Sequence, residues 1–314
     1  MRIRVVGYDL KRVLAINGAL IGIDLGGMMF DNSFQFVGLQ LPLEILRPIR
    51  HFVEASGLFL SFVDAFPERA YHRPMAIHTL LFDLDGTLLP IDQDQFMHAY
   101  FGLFVRKAGE LGLDEKAALS GLQAGLKAML TNNGEMTNKD RFDFVFSQVS
   151  GIDSTRFNEQ FSLFYQHEFH QLAAFAKPSA LAPRIVEKAK EKGYQVALAT
   201  SPLFPAQGTE ARIGWAGLRA DQFSLVTTYE TYRHAKPHWH YYVQVLDELG
   251  VEASDCLMIG NDVREDMVVA EHGMETFLVT DCLINRDDRS LHPYRKGSLQ
   301  DLSDFLEELP PCKQ

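Results

Sequence analysis

The sequence predicts an α/β fold, a parallel sheet with a helical region inserted after its first strong strand. From Met75 onward short apolar runs alternate with segments of helical period. The first run, residues 76–82, is followed only by helical spacing until the next strand-like run at Tyr194. Polar residues also gather where these runs end, as they do along the carboxyl edge of an open parallel sheet.

Asp92 followed by Gln95 is a capping-box-like start for a helix through Phe96, Tyr100, Phe104 and Val105 towards Leu111. Apolar residues three or four apart predict further helices over 116–130, 139–149 and 155–172, and four helices make a small bundle. Past Lys177-Pro178 the pattern returns to α/β. A helix over 182–192, stopped by Gly193, leads into a strand over 194–199, and a buried strand follows over 223–228. Next come a helix over 239–249, a strand over 256–259, a helix over 264–272 closed by Gly273, and a strand over 276–279. Ser298 or Asp301 caps a final helix that ends before Pro310-Pro311.

A chain of 314 residues lies where single cores stop growing, so two units are expected. Residues 1–74 form one, an extension with eight basic and seven acidic side chains and no sustained period in 22–27 or 52–66. They read as an appendage or as the product of an upstream start, and no chemistry attaches to them. The second unit is a core over 75–90 and 178–314 with the helical insertion at 91–177. Hydrophobic residues are 46% and charged residues 23%, a globular composition. The net charge of −11 disfavours nucleic acid and anionic membranes and leaves small molecules or proteins as partners.

The apolar run 13–23 is cut by Asp24, well short of the ~20 residues a membrane span needs. Arg2, Arg4, Lys11 and Arg12 ahead of it imitate the start of a signal peptide, but no small-residue cleavage site follows. Cys256, Cys282 and Cys312 form neither a C-x-x-C pair nor a zinc pattern, which fits a reducing, cytoplasmic setting.

The chemistry concentrates at four places. Asp83-Leu84-Asp85-Gly86-Thr87 ends the first strand, and residues i and i+2 of an extended chain face one side, so both carboxylates can approach one centre. A strand-to-turn junction would use the same residue types, and a calcium loop is excluded by the missing third ligand and glutamate. Thr200-Ser201, Lys236-Pro237 and Asn261-Asp262 with Asp266 follow later strands. Singly, these read as a cap, a solvated cation and an acidic helix start.

Together, in this order, they resemble the haloacid dehalogenase superfamily over Met75 to about Val279. The resemblance implies a Rossmann-like core with an inserted helical cap domain of the C1 type. It matches Asp83 and Asp85 to the first motif, Thr200 to the hydroxyl motif, Lys236 to the lysine motif, and Asp262 and Asp266 to the acidic motif. Asn261 departs from the common Gly-Asp of that last motif, so Asp262, Glu265 and Asp266 share the metal assignment less certainly than Asp83.

Under this resemblance Asp83 is the nucleophile that forms an aspartyl-phosphate, and Asp85 protonates the leaving group and then activates water. Thr200, Ser201 and Lys236 hold the phosphoryl oxygens. Magnesium suits the all-oxygen set of Asp83, the Asp85 carbonyl and Asp262, with Asp266 as direct or outer support. Family dehalogenases lack the second aspartate, so Asp85 points to a phosphatase acting on a small phosphorylated metabolite. A phosphomutase and a non-catalytic binding protein on the same fold are the alternatives. In the insertion, Lys107, Lys116, Lys127 and Lys139 read as solvated, and Phe96, Tyr100, Phe101 and Phe104 read as packing. His167 with His170, and His234 with His238 and His240, lack a further ligand for metal.

Overall fold

The computed structural model describes residues 3–5, 12–16, 19–25 and 77–312, in two units, Met1–Pro74 and Met75–Gln314. In the first unit β1 (Ile3–Val5), β2 (Arg12–Ile16) and β3 (Ala19–Leu25) form a sheet of order β1-β3-β2. β3 runs parallel to β1 and antiparallel to β2, and the latter register closes on Ile16↔Ala19. The apolar run 13–23 is thus divided between two strands. Asn17-Gly18, between them in sequence, is a hairpin signal that the lack of a hydrophobic period had hidden.

The second unit is built on β4 (Thr79–Phe82), β5 (Gln195–Leu198), β6 (Leu225–Val226), β7 (Cys256–Gly260), β8 (Glu275–Val279) and β9 (Arg295–Gly297). All five pairings are parallel, in the order β6-β5-β4-β7-β8-β9. The chain leaves β4 in one direction through β5 and β6, then returns to β7 on the other side. The switch in strand order therefore lies between β4 and β7, where open α/β sheets bind ligands.

Alternate strand residues feed two apolar layers, which is why the strands read as continuous hydrophobic runs. Leu80, Phe82, Val196, Leu198, Leu257 and Ile259 pack against α5 (Leu181–Glu191) and α8 (Leu299–Glu308). Leu81, Ala197 and Met258 pack with Tyr241, Tyr242 and Val245 of α7 (Trp239–Leu249).

Between β4 and β5 stand α1 (Gln93–Glu110), α2 (Glu115–Leu130), α3 (Asn138–Ser150) and α4 (Ser154–Gln166), then a 3-10 segment, Glu168–Phe175. Each α-helix starts on a side-chain cap: Asp92, Asp114, Thr137 and Asp153 accept from the N–H groups of Gln95, Ala117, Asp140 and Arg156. The Gln95 amide donates to the other Asp92 oxygen at 2.9 Å, in place of the bond from the Asp92 N–H that a full capping box would have. Phe96, Tyr100, Phe104, Phe157, Phe161, Phe164 and Phe169 fill a separate core, in keeping with the packing role expected of the α1 stripe. At Gly125 a Cβ would stand 2.5 Å from the Phe142 ring, so the glycine is what lets α2 and α3 approach.

Three expectations need correction. The helix expected over 155–172 breaks at His167, whose φ of −123° and ψ of −76° end α4. Residues 264–272 form only a 3-10 turn, Met267–His272, because the Asp262 side chain takes the N–H groups of Arg264 and Glu265 in a local turn. The strand over 223–228 shrinks to two paired residues. Two elements were not foreseen: β9, whose Arg-Lys-Gly sequence lacks an apolar pattern, and α6 (Ala206–Trp215), where Gly208, Gly214 and a buried arginine interrupt the period.

Candidate active site

β4 ends in a backbone turn that aims its carboxylates. Asp83 is buried, and its N–H donates to Ile259 O at 2.8 Å, carrying the pairing with β7 one residue past the strand. The chain then folds back, with Gly86 N–H on Leu89 O and Leu89 N–H on Leu84 O, each at 2.8 Å. Gly86 has φ +90°, and a Cβ there would overlap the Asn261 side chain, so both backbone and space demand glycine. The Thr87 hydroxyl is shared between Asp83 Oδ2 at 3.2 Å and Asn261 Oδ1 at 3.1 Å.

Lys236 is only 1% exposed, and its Nζ donates to Asp83 Oδ1 at 2.8 Å and to Asp266 Oδ1 at 2.6 Å. Burial disfavours the ammonium, but Asp266 and Asp83 outweigh it and hold the Lys236 pKa well above the usual lysine value. Asp266 Oδ2 accepts from the Asp262 N–H, so both of its oxygens are engaged by protein donors. Crowding shows in Glu265, whose pKa burial pushes up to about 8 against the pull of Lys236 and with help from Asp266 and Asp262.

Register pairs Phe82 with Leu198, which brings the residues after β5 alongside those after β4. Thr200 is buried there, its carbonyl accepting from Thr227 Oγ1 at 2.5 Å and from the Tyr241 hydroxyl at 3.0 Å. Ser201 Oγ is buried and has no partner among the described residues.

Asp85 is held at both ends. Its carbonyl accepts from Gln93 Nε2 at 2.9 Å, and its Oδ2 pairs with Arg212 Nη1. Its Oδ1 is buried without a partner among the described residues. Burial raises the Asp85 pKa, the Arg212 charge opposes that rise, and Asp83 adds to it. Arg212 and Gln93 were absent from the sequence reading. The signal for Arg212 was a lone cation on a small-residue helix, one turn past Gly208 and Thr209 and shortly after Thr200-Ser201.

A cavity of about 490 Å³ adjoins this network, lined by Gln93, Lys177, Cys282, Ile284 and Arg286 among others. Gln93 reaches the Asp85 carbonyl, and the Cys282 carbonyl accepts from Asn261 Nδ2 at 2.6 Å. The His234 and His238 rings stack with centroids 4.7 Å apart, and the His240 ring is tilted against them at 5.3 and 5.0 Å. Among the described residues, no group of three or more His, Cys, Asp or Glu side chains is placed to hold a metal ion.

A family model described as a haloacid dehalogenase-like hydrolase matches residues 77–272. The chain belongs to this family. Among curated proteins, this haloacid dehalogenase-like hydrolase is similar to the "Probable phosphatase IndB" of Dickeya dadantii (strain 3937). The two are 29% identical over 119 residues, 37% of this chain and 50% of that protein, so the match spans half the relative's length. It is also similar to "Pyrophosphatase PpaX" of Bacillus mycoides (strain KBAB4), at 24% identity over 244 residues, 74% of this chain and 96% of the relative. Among solved structures it resembles a HAD phosphatase from Thermococcus onnurineus, with a TM-score of 0.47 and 18% identity over 74% of this chain and 99% of the other. L-2-haloacid dehalogenase from Xanthobacter autotrophicus gives a TM-score of 0.46 and 16% identity over the same shares. No helix among the described residues of the hydrolase is long and apolar enough to cross a membrane.

Proposed function

We propose that the protein is a Mg²⁺-dependent phosphatase that hydrolyses a small phosphorylated metabolite through an aspartyl-phosphate on Asp83. The observation that carries this reading is the pairing of Lys236 with Asp83 while Asp85, two residues on, keeps one buried oxygen free of any partner among the described residues. The names of the relatives, a probable phosphatase and a pyrophosphatase, support phosphate chemistry.

The donor set fits a hard divalent cation. Asp83, Asp85, Asp262, Glu265 and Asp266 bring five carboxyl groups to a site with two buried cations, Lys236 and Arg212, and every candidate ligand atom is oxygen. Asp83, the Asp85 carbonyl and Asp262 would hold Mg²⁺. Asp266, with both oxygens taken, fits the role of holding Lys236 in place. Bound there, Mg²⁺ would supply positive charge to the phosphoryl oxygens and to the nucleophile.

The side chains divide the remaining work. Lys236 neutralises charge on the transferring phosphoryl group, and Thr200 with the unpartnered Ser201 hydroxyl donates to its oxygens. Asp83 attacks phosphorus as the bond to the leaving oxygen breaks, and Asp85 delivers a proton to that oxygen. Asp85 then takes a proton from the water that attacks the phosphorus of the phospho-Asp83 intermediate, which restores both carboxyls. The helical insertion over 91–177 serves as a cap that limits water and selects the leaving group. Hydrolysis of 4-nitrophenyl phosphate by the full chain tests the reading. Turnover that requires Mg²⁺, stops with chelator and is lost in Asp83→Asn supports it, and a folded wild type inactive on a panel of phosphate esters overturns it.

A further inference from the structure

The proposed reaction asks Asp85 to present a proton in one direction, and the group that governs its orientation lies outside the four strand-end motifs. We propose that Arg212 is a positioning residue for Asp85: it ties down Oδ2 and leaves Oδ1 as the oxygen that passes a proton to the leaving group. This rests on the phosphatase reading above.

Arg212 is itself immobilised. Its side chain is 1% exposed, with Nε donating to Gly208 O at 3.1 Å and Nη2 to Thr209 Oγ1 at 3.3 Å. Its guanidinium carbon stands 4.4 Å from the Phe204 ring centroid. Three anchors on one helix and its leading loop fix where Nη1 can point, and it points at Asp85.

A guanidinium has donors only and stays charged at any working pH. The Asp85 oxygen that faces it must therefore act as acceptor in every state of the carboxyl, so a proton on Asp85 sits on Oδ1. That oxygen is buried with no partner among the described residues, while Gln93 fixes the main chain of the same residue. When the phosphorus–oxygen bond breaks, its electron pair stays on the leaving oxygen, which takes the Oδ1 proton. The carboxylate that results faces Arg212 in surroundings walled by Phe204, where the attraction is stronger than in water. Arg212 thus acts through Asp85 and favours proton donation in the step that needs it. A merely structural ion pair would slow all substrates alike.

The test compares kcat/KM of the full chain for phenyl phosphate, whose leaving oxygen needs a proton, and 2,4-dinitrophenyl phosphate, whose leaving group departs without one. kcat/KM reports the step up to transfer onto Asp83, so a slow second step does not mask the comparison. Arg212→Met is expected to lower the phenyl phosphate value about 100-fold and the dinitrophenyl value less than about 5-fold, the range general acid catalysis supplies. In an Asp85→Asn background the same change should leave the ratio of the two esters unaltered. Arg212→Lys keeps the charge without the fork and should move the ratio the same way by less, and it carries the comparison if the Met variant does not fold. Equal slowing of both esters, or an undiminished effect beside Asp85→Asn, overturns the inference alone. A wild type that turns over neither ester overturns the phosphatase reading and this inference with it.

Discussion

Asp266 is the clamp on Lys236: one carboxylate oxygen accepts from Lys236 Nζ at 2.6 Å and the other accepts from the Asp262 N–H at 2.9 Å. The lysine that touches Asp83 is thereby tied to the turn that carries Asp262. Asp266→Asn keeps an oxygen for the Asp262 N–H but removes the charge facing Lys236. The ammonium should then settle on Asp83 and compete with substrate, lowering kcat/KM at least about tenfold, with a stability loss of about 1–3 kcal/mol for the weakened buried pair. Steady-state kinetics and urea unfolding check the two readouts. Unchanged kinetics would show that Asp83 alone orients Lys236.

Gly86→Ala places a side chain at φ +90° and against Asn261. Strain of about 1–3 kcal/mol is expected, and the Asn261 amide must move, which disturbs its share of the Thr87 hydroxyl. Thermal unfolding should shift down by several degrees and turnover should fall together with it. A variant with wild-type Tm and activity would mean that the turn after β4 tolerates a second conformation.

Much of this fold is legible in the sequence because burial on both faces writes itself as apolar runs. The helix Trp239–Leu249 and the strand after Ser254-Asp255 follow directly from spacing. The carboxyl edge was legible for Asp83 and Thr200, which sit one or two residues beyond strand ends. Arg212 was not. Its helix carries Gly208 and Gly214, and its apolar face is broken by the guanidinium itself, so periodicity was silent where a tertiary ion pair decided the residue. The break at His167 was missed for a related reason, since the aromatic spacing runs on through Phe164 and Phe169 although the helix stops between them.

Tyr100 in the helical insertion gives a pH signature. Its hydroxyl pairs with that of Tyr165 at 3.0 Å, and burial pushes its pKa up to about 12. Folding disfavours the phenolate, so the unfolded chain releases this proton first. The cost is absent below the ordinary tyrosine value of 10.0 and grows until about pH 12. Tyr100→Phe should therefore lose about 1 kcal/mol at pH 7, from the orphaned Tyr165 hydroxyl, yet decline less steeply than wild type between pH 10 and pH 12. Urea unfolding across that interval tests the sign, and parallel curves would refute it.

Ser201 separates binding from folding. Its hydroxyl is buried without a partner among the described residues, an arrangement that costs stability in the free protein unless a ligand completes it. Thr200, its neighbour, instead spends its carbonyl on Thr227 and Tyr241 and is locked into the core. Ser201→Ala removes an unsatisfied group and should leave stability unchanged or raise it by up to about 1 kcal/mol. The same change removes one donor to the phosphoryl oxygens, so inhibition by inorganic phosphate should weaken about 10- to 100-fold, the worth of one hydrogen bond to a charged group. A variant that loses stability while binding phosphate as before would place the Ser201 hydroxyl in the scaffold and leave Thr200 and Lys236 as the side-chain donors to the phosphoryl group.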